Sequence, residues 1–529
     1  MDREILLADE AIALGAVHAG LSSGYSYPGT PASEIMEYLI KLAERDKGFR
    51  AAWCVNEKVA YEEALGTSFA GKRALVSFKH VGLNVAADPF INSALTGANG
   101  GLVVVSADDP GMHSSQDEQD SRYYAQFALI PCLEPSDHQE AYDMAREAFD
   151  LSEKIGLPVM IRIVTRLAHS RGPVQPRPAR GQNELRHGAW TDWTLLPGNA
   201  RRRFNLLTDL QPGLVRNAER SPWNRLELNP QDRSLGVIAA GIAFNYLQEN
   251  LAGASFQPSW LKLCVYPLPE ALIRKLVEHV ETILVLEDGY PLIERSIKGI
   301  FGIPGKKVVG KLSGRLPATG ELTPENVRKA LGLAPLPART PADLKLSGRP
   351  PQLCQGCPHA DTLNALKKAL ESYPKPNVFS DIGCYTLGAL PPYSAIQTCV
   401  CMGASVSMAK GGAEAGIHPA VAVIGDSTFG HSGMTGLLDA ALADTPMTVF
   451  ILDNAIVAMT GGQPSCATGA GLLKIVEGLG APKDHIRVIT PLPKNLETNA
   501  RIIKEELDHP GLSVIIAVRD CIQETRKKK

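Results

Sequence analysis

The stretch from 420 to 465 places polar side chains directly after two hydrophobic runs. Gly425, Asp426 and Ser427 follow "AVAVI", and Asn454 ends the run "MTVFILDN". Carboxylate and amide oxygens are hard ligands suited to Mg²⁺, which completes its coordination with phosphates and water. Glycine allows the backbone to come close to a phosphate. The pattern favours a Mg²⁺-diphosphate site, and the alternative is a turn aspartate and a strand-end asparagine without metal.

The spacing matches a known cofactor motif. The thiamine diphosphate (TPP) motif begins with Gly-Asp and ends in Asn, with 25 to 30 residues between as an approximate range; here 27 residues lie between Asp426 and Asn454. In that motif the Asp, the Asn and the carbonyl two residues later, at Ile456, hold the metal. The cofactor-binding candidates are therefore Gly425, Asp426, Ser427, Asn454 and Ile456.

TPP chemistry also needs a carboxylate that hydrogen-bonds the pyrimidine ring and favours its imino tautomer. This glutamate should come from another α/β domain facing the metal site. The candidate is Glu57 in "VNEKVAYEEALG". The alternative is an exposed glutamate at a helix start, which is common because acids suit helix N-termini.

A third group of residues, Cys354-x-x-Cys357, has three possible chemistries. A structural zinc site needs a second close pair, and Cys399-x-Cys401 is a poor one because it precedes an Ala/Gly/Met-rich helix start. A redox dithiol at a strand-to-helix turn remains possible. The first two ligands of an iron–sulfur cluster are the third option.

These residues need a scaffold, and hydrophobic runs of strand length supply it. Such runs alternate with helical patterns, which predicts α/β domains with parallel sheets. Asp426 and Asn454 then emerge at the carboxyl ends of strands, where such sheets bind ligands. The clearest predicted strands are residues 73–78, 101–109, 157–164, 377–383, 420–426 and 447–454. Residues 235–249 predict a strand, a glycine turn and a helix, and residues 281–294 predict another strand that ends in acidic residues.

Changes in texture suggest the domain boundaries. An α/β domain over 1–175 is followed by a Pro-, Arg- and Gly-rich linker, 176–232, with little core of its own. A smaller α/β domain spans 233–312, a second linker spans 313–351, and a last α/β domain spans 352–529. The first twenty residues predict an amphipathic helix.

Composition excludes several classes of function. The formal net charge of the 529 residues is −2, so nothing favours nucleic acid or a membrane surface as partner. No apolar run reaches the roughly 18 residues of a membrane span, and the acidic start does not fit a signal peptide. We therefore expect a cytoplasmic protein, and a disulfide framework for its ten cysteines is not expected there.

Several longer stretches carry a family resemblance. "SYPGTPASEI" (26–35), "VNEKVAYEEALG" (55–66), "CQGCPH" (354–359), "SDIGCYTLGALPP" (380–392) and the TPP motif, in this order, resemble the alpha subunits of the indolepyruvate:ferredoxin oxidoreductases. These belong to the 2-oxoacid:ferredoxin oxidoreductases. The resemblance implies a TPP-enzyme fold. Two parallel-sheet TPP-binding domains, for the pyrimidine (1–175) and the diphosphate (352–529), flank a smaller transketolase-C-like domain.

The resemblance also implies an activity and partners. It implies oxidative decarboxylation of an aryl 2-oxo acid to the acyl-CoA, with electrons passed to ferredoxin or another acceptor, and a separate beta subunit in a heterotetramer. It gives Glu57 the role of activating carboxylate. It places Thr30 near the substrate carboxylate, with a helix N-cap as the alternative. His431 would be a polar contact in the site or a structural histidine.

For the cysteines, the resemblance implies one [4Fe–4S] cluster close to the TPP, as a one-electron acceptor for the radical step. Its ligands would be Cys354, Cys357, Cys384 and Cys521. The cysteines expected not to be ligands are Cys132, Cys264, Cys399, Cys401 and Cys466.

One departure from the family concerns the C-terminus. The sequence ends at Lys529 without the usual module of C-x-x-C-x-x-C-x-x-x-C-P type. This departure weakens the expectation of electron transfer to ferredoxin more than the expectation of TPP binding. Two other hypotheses stay open. A non-oxidative 2-oxoacid decarboxylase would bind TPP and Mg²⁺ without iron and release an aldehyde, and a silent TPP-fold scaffold is disfavoured by the intact Glu57, Asp426 and Asn454.

Overall fold

The structure is a computed structural model that describes residues 3–336, 348, 351–374 and 376–527. The chain divides into two compact units, Met1–Arg339 (unit 1) and Thr340–Lys529 (unit 2).

Unit 1 alternates strands and helices along most of its length. Its strands are β1 (Glu4–Leu7), β2 (Ser23–Ser26), β3 (Arg50–Trp53), β4 (Ala74–Lys79), β5 (Leu102–Asp108), β6 (Cys132–Leu133), β7 (Val159–Val164), β8 (Arg171–Val174), β9 (Arg225–Glu227), β10 (Leu235–Ala240), β11 (Ser259–Leu263), β12 (Val265–Tyr266), β13 (Thr282–Leu286) and β14 (Lys307–Val309). Its helices are α1 (Ala8–His18), α2 (Ser33–Arg45), α3 (Glu57–Phe69), α4 (His80–Val85), α5 (Ala87–Thr96), α6 (Arg122–Ala128), α7 (His138–Ile155), α8 (Thr165–Ala168), α9 (Trp190–Trp193), α10 (Pro197–Arg220), α11 (Ala243–Leu251), α12 (Glu270–His279), α13 (Leu292–Lys298) and α14 (Pro324–Ala330).

The larger sheet of unit 1 has the strand order β12-β6-β7-β5-β4-β2-β3. All its pairs are parallel except β12 with β6. Every residue of β4, β5 and β7 is buried, as expected for parallel strands covered by helices on both faces. The predicted strands at 73–78, 101–109 and 157–164 are confirmed.

Helix α7 shows why the crossovers form where they do. Asp137 is its N-cap and accepts a hydrogen bond from the backbone N–H of Glu140 (2.9 Å), and Gly156 ends it in the left-handed conformation. These are the preferred residues for starting and stopping a helix. Its buried face packs against the sheet that holds β5 and β7.

A second sheet in unit 1 has the order β14-β13-β10-β11-β9. Its central strands β10 and β13 lie within the predicted stretches 235–249 and 281–294, and the strand predicted in each is confirmed. The antiparallel β9 forms its edge beside β11.

The two predicted linkers contain more structure than expected. The first holds the 24-residue helix α10, which buries Leu207, Leu214 and Ala218, and it also supplies β9. The second holds α14 with its buried Val327. The buried residues of α10 belong to the hydrophobic clusters of the rest of unit 1, and a segment with little core of its own stays a prediction for 176–232. The exact domain boundaries stay predictions.

Unit 1 also contains a buried ion-pair network that joins its two sheets. The Arg162 guanidinium pairs with Asp108 (2.8 Å) and with Glu134. The Arg122 guanidinium pairs with Asp120 (2.5 Å) and with Glu287 (3.1 Å). Glu287 directly follows β13, whereas the other five residues belong to the part of the chain around the larger sheet. The predicted domains 1–175 and 233–312 therefore share one compact unit.

Unit 2 is built around one parallel sheet. Its strands are β15 (Asn377–Ser380), β16 (Ala420–Gly425), β17 (Thr448–Asp453), β18 (Ile456–Val457), β19 (Gln463–Pro464), β20 (Ile486–Ile489) and β21 (Ser513–Val518). Its α-helices are α15 (Pro358–Leu370), α16 (Ala404–Glu414), α17 (Asp426–Thr428), α18 (Met434–Leu442), α19 (Gly469–Gly478), α20 (Leu496–Leu507) and α21 (Ile522–Lys527).

The order of this sheet is β15-β16-β17-β21-β20, and every pair in it is parallel. The predicted strands at 377–383, 420–426 and 447–454 are confirmed, although β15 ends at Ser380. One hydrophobic cluster lies on each face of the sheet. The predicted α/β class with parallel sheets is thus confirmed in both units.

Two expectations about the chain as a whole can be compared with the structure. Residues 3–20 contain the short strand β1, paired with β8, and then helix α1, so the predicted helix begins only at Ala8. Within the described residues, no helix combines the length and the apolar character that crossing a bilayer requires.

Candidate cofactor and metal site

Four neighbouring strands of unit 2 end at the same edge of its sheet, because parallel strands share one direction. Asp426 directly follows β16, and Asn454 directly follows β17. Cys384 lies four residues after β15, and Cys521 lies three residues after β21. The sheet order β15-β16-β17-β21 therefore brings the predicted metal ligands and two of the predicted thiols to one edge.

Asp426 is buried, with 3 % of its surface exposed. The backbone N–H of Ser427 donates to its Oδ1 (2.8 Å), and the N–H of Ala455 donates to its Oδ2 (3.0 Å). Burial, with the nearby charge of Asp453, raises the pKa of Asp426 to about 7, against the opposing effect of the backbone N–H donors. No lysine, arginine or histidine among the described residues forms an ion pair with it, so this carboxylate suits an added cation.

The hydrogen bond from Ala455 also ties the loop after β17 to Asp426. Ala455 has a positive φ of 65°, a conformation that costs a non-glycine residue energy and is found mostly at functional sites. The Asn454 Oδ1 accepts a hydrogen bond from the N–H of Ile456 (3.2 Å). Asp426, Asn454 and Ile456 thus lie in one hydrogen-bonded group, and their oxygens fit the donor set that Mg²⁺ prefers.

His359 is a residue of this site that the sequence did not single out. It lies in α15, two residues after Cys357, and its Nε2 lies 3.1 Å from the Asn454 Nδ2. Burial lowers the pKa of His359 to about 4, so the neutral ring accepts this hydrogen bond. Its position at the end of "CQGCPH", just after the Cys354-x-x-Cys357 motif, is the sequence feature that could have identified His359 as a site residue.

The backbone around Asp426 is closely packed. A Cβ at Gly425 would lie 2.9 Å from the Tyr385 ring, so only glycine fits there without a shift. Residues Phe429–Gly433 form a π-helical turn, a feature often found at functional sites. His431 is buried in this turn, and its Nδ1 lies 2.7 Å from the Ser432 hydroxyl.

The four predicted cluster cysteines affect one another electrostatically. Burial raises the pKa of Cys384 to about 12, and the charges of Cys357, Cys521 and Cys354 add to this shift. Burial also raises the pKa of Cys357, with further contributions from Cys354 and Cys521, against hydrogen bonds from the backbone of His359 and Ala360. Thiols that repel one another as thiolates suit a metal centre that neutralises them, so this donor set fits a cluster.

The segment after β21 packs directly on the Cys354–Cys357 turn. The Gln523 Nε2 donates to the Cys354 sulfur (3.2 Å), and an Arg519 Nη donates to the Gly356 carbonyl (3.3 Å). The backbone N–H of Cys521 donates to the Asn454 carbonyl (3.3 Å). The predicted cluster ligands and the predicted metal site are therefore adjacent within unit 2.

The remaining cysteines lie elsewhere or face solvent. Cys132 and Cys264 are buried in unit 1, and Cys54, also in unit 1, is half-buried. In unit 2, Cys399, Cys401 and Cys466 are exposed. That they are not cluster ligands stays a prediction.

In unit 1, Glu57 and Thr30 follow the carboxyl ends of the adjacent strands β3 and β2. Glu57 is the first residue of α3, whose N-cap Asn56 accepts a hydrogen bond from the N–H of Val59 (2.9 Å). It is 6 % exposed, so the alternative of an exposed helix-start glutamate is wrong. A Cβ at Gly82 would lie 2.6 Å from the Glu57 carboxylate, and glycine leaves room for it.

The structure also removes one alternative for Thr30. Helix α2 begins at Ser33, and its N-cap is Ala32, so Thr30 does not cap the helix. The Ser33 hydroxyl instead accepts a hydrogen bond from the N–H of Gly29 (2.9 Å). The Thr30 carbonyl accepts one from Ser114 (3.2 Å). Its substrate role stays a prediction.

Two family models match the chain. Residues 14–192 match the model described as pyruvate flavodoxin/ferredoxin oxidoreductase, thiamine diphosphate-binding. Residues 381–517 match the C-terminal TPP-binding domain of thiamine pyrophosphate enzymes. The first match covers β2, β3 and Glu57, and the second covers Asp426 and Asn454.

Curated relatives extend the similarity to almost the whole chain. An indolepyruvate oxidoreductase subunit IorA of Archaeoglobus fulgidus is 37% identical over 98% of this chain and 86% of its own length. The subunit of the same name from Methanothermobacter thermautotrophicus is 38% identical over 98% of this chain and 87% of its own length.

A solved structure supports the same fold. The 2-oxoglutarate:ferredoxin oxidoreductase from Magnetococcus marinus, with 2-oxoglutarate, coenzyme A and succinyl-CoA bound, superposes with a TM-score of 0.52 at 16% identity. The superposition covers 63% of this chain and 65% of that one.

Fold, site and relatives together define a TPP-dependent 2-oxoacid oxidoreductase. Within that class, the chain belongs to the family of indolepyruvate oxidoreductase alpha subunits.

Proposed function

We propose that this chain is the TPP-binding subunit of an enzyme that oxidatively decarboxylates an aryl 2-oxo acid of the indolepyruvate type to its acyl-CoA. A separate beta subunit completes the enzyme, and electrons pass to ferredoxin or another acceptor. One observation carries the proposal: the Cys521 backbone is hydrogen-bonded to Asn454, so a set of thiols adjoins the diphosphate-metal site. A non-oxidative decarboxylase has no need of that arrangement, and the relatives do not favour it.

The roles in unit 2 follow from the ligand chemistry. Asp426, the Asn454 side chain and the Ile456 carbonyl hold Mg²⁺, which binds the cofactor diphosphate. Gly425 and Ser427 bring the backbone close to that diphosphate. The His359 Nε2 lies 3.1 Å from the Asn454 Nδ2 and so fixes the orientation of the Asn454 amide. This orientation leaves a lone pair of the amide oxygen for the metal.

Bound TPP supplies, through its C2 carbon, the carbanion that attacks and decarboxylates 2-oxo acids. The Glu57 carboxylate hydrogen-bonds the pyrimidine ring and keeps the imino tautomer that accepts the C2 proton. The Thr30 hydroxyl binds the substrate carboxylate, and His431 donates a polar contact in the site. Burial of Glu57 keeps water from competing for its hydrogen bond.

Cys354, Cys357, Cys384 and Cys521 hold one [4Fe–4S] cluster, which accepts single electrons. Three features support this assignment: the raised pKa of Cys384, caused by burial and by the other three thiols; the backbone hydrogen bonds to Cys357; and the side-chain amide on Cys354. Hydrogen bonds to cluster sulfurs are one of the ways in which proteins set the reduction potential.

The test compares iron and product in anaerobically purified protein. We expect four irons per chain and a visible absorption that bleaches on addition of indolepyruvate, with the acyl-CoA as product when the beta subunit and CoA are present. A Cys354→Ser variant should lose the iron and this bleaching. A Cys401→Ser variant, altered at an exposed cysteine of the same unit, is the matched control and should keep both.

The outcomes separate the alternatives. Iron-free protein that converts indolepyruvate to an aldehyde would establish the non-oxidative decarboxylase instead. Equal iron loss in both cysteine variants would contradict the assigned ligands while leaving the TPP chemistry in place.

A further inference from the structure

Unit 1 contains a second group of possible metal ligands, none of which has been given a role above. Asp9 lies in the first turn of α1, Glu34 in the first turn of α2, and His169 directly after α8. One ligand atom from each lies within 4.8 Å of the other two. Ligand atoms around a tetrahedral ion, each at about 2.1 Å from it, are about 3.4 Å apart, so this group needs a closure of at most about 1.4 Å to hold an ion.

The buried carboxylate of Asp9 is the observation that points to a ligand. Asp9 is 0 % exposed, and neither of its oxygens has a hydrogen-bond partner within the described part of the chain. An unpaired buried carboxylate costs free energy unless a cation or a proton compensates it. The neighbouring Glu34 adds a second negative charge, which raises the free-energy cost of leaving Asp9 ionised without a cation.

The adjacent residue Glu10, unlike Asp9, has partners for its carboxylate. Its Oε2 accepts a hydrogen bond from the N–H of Leu7 (2.8 Å) and lies 3.3 Å from an Arg171 Nη. Asp9 has no such arginine or lysine partner among the ion pairs of the described residues. The half-exposed His169, whose Nε2 lies 3.3 Å from the Glu34 Oε2, is the only basic group of the three-residue cluster.

We infer that Asp9, Glu34 and His169 form a binding site for a divalent transition-metal ion, such as Mn²⁺ or Zn²⁺. Two carboxylates and one imidazole suit these ions, whereas Mg²⁺ and Ca²⁺ prefer oxygen ligands alone. Two ionised carboxylates with a neutral imidazole carry a charge of −2, which a divalent ion balances. The half-exposed His169 leaves one side of the site open for entry of the ion and for a water ligand.

The ion would connect three elements that the chain separates widely. It would tie the starts of α1 and α2 to the end of α8. Helix α2 follows the turn that carries Thr30, so the ion would also fix the base of that turn. This role is structural, and it is independent of the cofactor and cluster sites proposed in unit 2.

The test is a Mn²⁺ titration of the full chain, with free Mn²⁺ measured by EPR. Mn²⁺ is a hard ion with little affinity for thiolates, so the cysteines do not interfere. An Asp426→Ala background without TPP lowers binding at the proposed Mg²⁺ site, and all variants are compared within that background. We expect one Mn²⁺ per chain, and a rise in the unfolding temperature on saturation.

Three variants decide the result. Asp9→Asn and His169→Gln should each weaken Mn²⁺ binding at this site by at least about tenfold and abolish the rise in unfolding temperature. His169 is half-exposed, so its replacement tests the site even if Asp9→Asn fails to fold. Glu10→Gln, next to Asp9 on α1, is the matched control and should bind as the parent does. If Asp9 instead keeps a proton shared with Glu34, none of these chains will bind Mn²⁺ here, and the inference is wrong. Equal binding in all of them would also overturn it.

Discussion

Two sets of buried carboxylates, one in each unit, are compensated in different ways. In unit 1, Asp108 and Glu134 both pair with the Arg162 guanidinium, and Asp120 pairs with Arg122. In unit 2, Asp426 is similarly buried and accepts hydrogen bonds from two backbone N–H groups, but it forms no ion pair with a residue that the structure describes. A buried acid that already has its cation within the fold needs that partner to stay folded, whereas one without such a cation is suited to bind an added one. The presence or absence of a paired cation therefore distinguishes the ion-pair network of unit 1 from the candidate metal site at Asp426, and this distinction uses no relative.

The largest effect should come from removing a guanidinium of the unit 1 network. Arg162→Met leaves Asp108 and Glu134 buried without their partner, and we expect a loss of about 3–5 kcal/mol in the free energy of unfolding. Denaturant titration followed by circular dichroism measures it. Arg166→Met, at an exposed pair with Glu321, is the control, with a loss below about 1 kcal/mol. Equal losses would break the comparison.

Glu57 is the buried carboxylate of unit 1 to which we assign a catalytic role. Glu57→Gln fills the same space beside Gly82, but an amide cannot shift the pyrimidine to its imino form. We expect TPP to stay bound and C2 proton exchange to slow by about 100-fold or more, which NMR of the bound cofactor measures. Glu62→Gln, on the exposed face of α3, should exchange normally. Unchanged exchange in Glu57→Gln would assign the role to another carboxylate.

Asp426→Ala tests whether this acid serves binding and not folding. Changes to residues that only hold a metal ligand in place already weaken metal binding by about 10–100-fold. We therefore expect losing this direct ligand to weaken Mg²⁺-dependent TPP binding by about 100-fold or more in calorimetry. Without ligands, the variant should be at least as stable as the parent at pH 8. The reason is that burial raises the pKa of Asp426 to about 7, so its ionised form there opposes folding.

The control for this variant is Asp439→Ala, which alters an exposed acid on α18 that pairs with Lys410. It should bind TPP normally. A large loss of stability in ligand-free Asp426→Ala would place Asp426 with the structural acids of unit 1.

The smallest effect should come from His359, which reaches the metal site only through Asn454. His359→Leu removes the contact with the Asn454 amide (3.1 Å), and we expect about tenfold weaker TPP binding with unchanged iron content. His359→Gln, which can still accept a hydrogen bond, should recover part of the affinity. His418→Leu, near the opposite end of β16, is the control. Loss of iron in His359→Leu would show that the residue supports the cysteine turn instead.

The sequence by itself determined the strands and the chemistry at their ends. Continuous apolar runs predict buried parallel strands, and Asp426 and Asn454 come directly after two of them, so local pattern was enough to place both at one edge. Glu57 became a candidate because TPP chemistry requires such a carboxylate, and its role stays a prediction. The four cysteines came from a resemblance, and the structure adds that their charges affect one another.

Only the tertiary structure decided which distant groups meet. Glu287 pairs with Arg122 across 165 positions of the chain, and this pairing joins segments that the sequence predicts as separate domains. The contact of His359 with Asn454, and the meeting of Asp9 with His169, have the same origin. Hydrophobic period and turn residues specify local elements, whereas partners of buried polar groups are set by how those elements pack. A lone aspartate on α1 therefore looks ordinary in the sequence and becomes informative only when its surroundings are known.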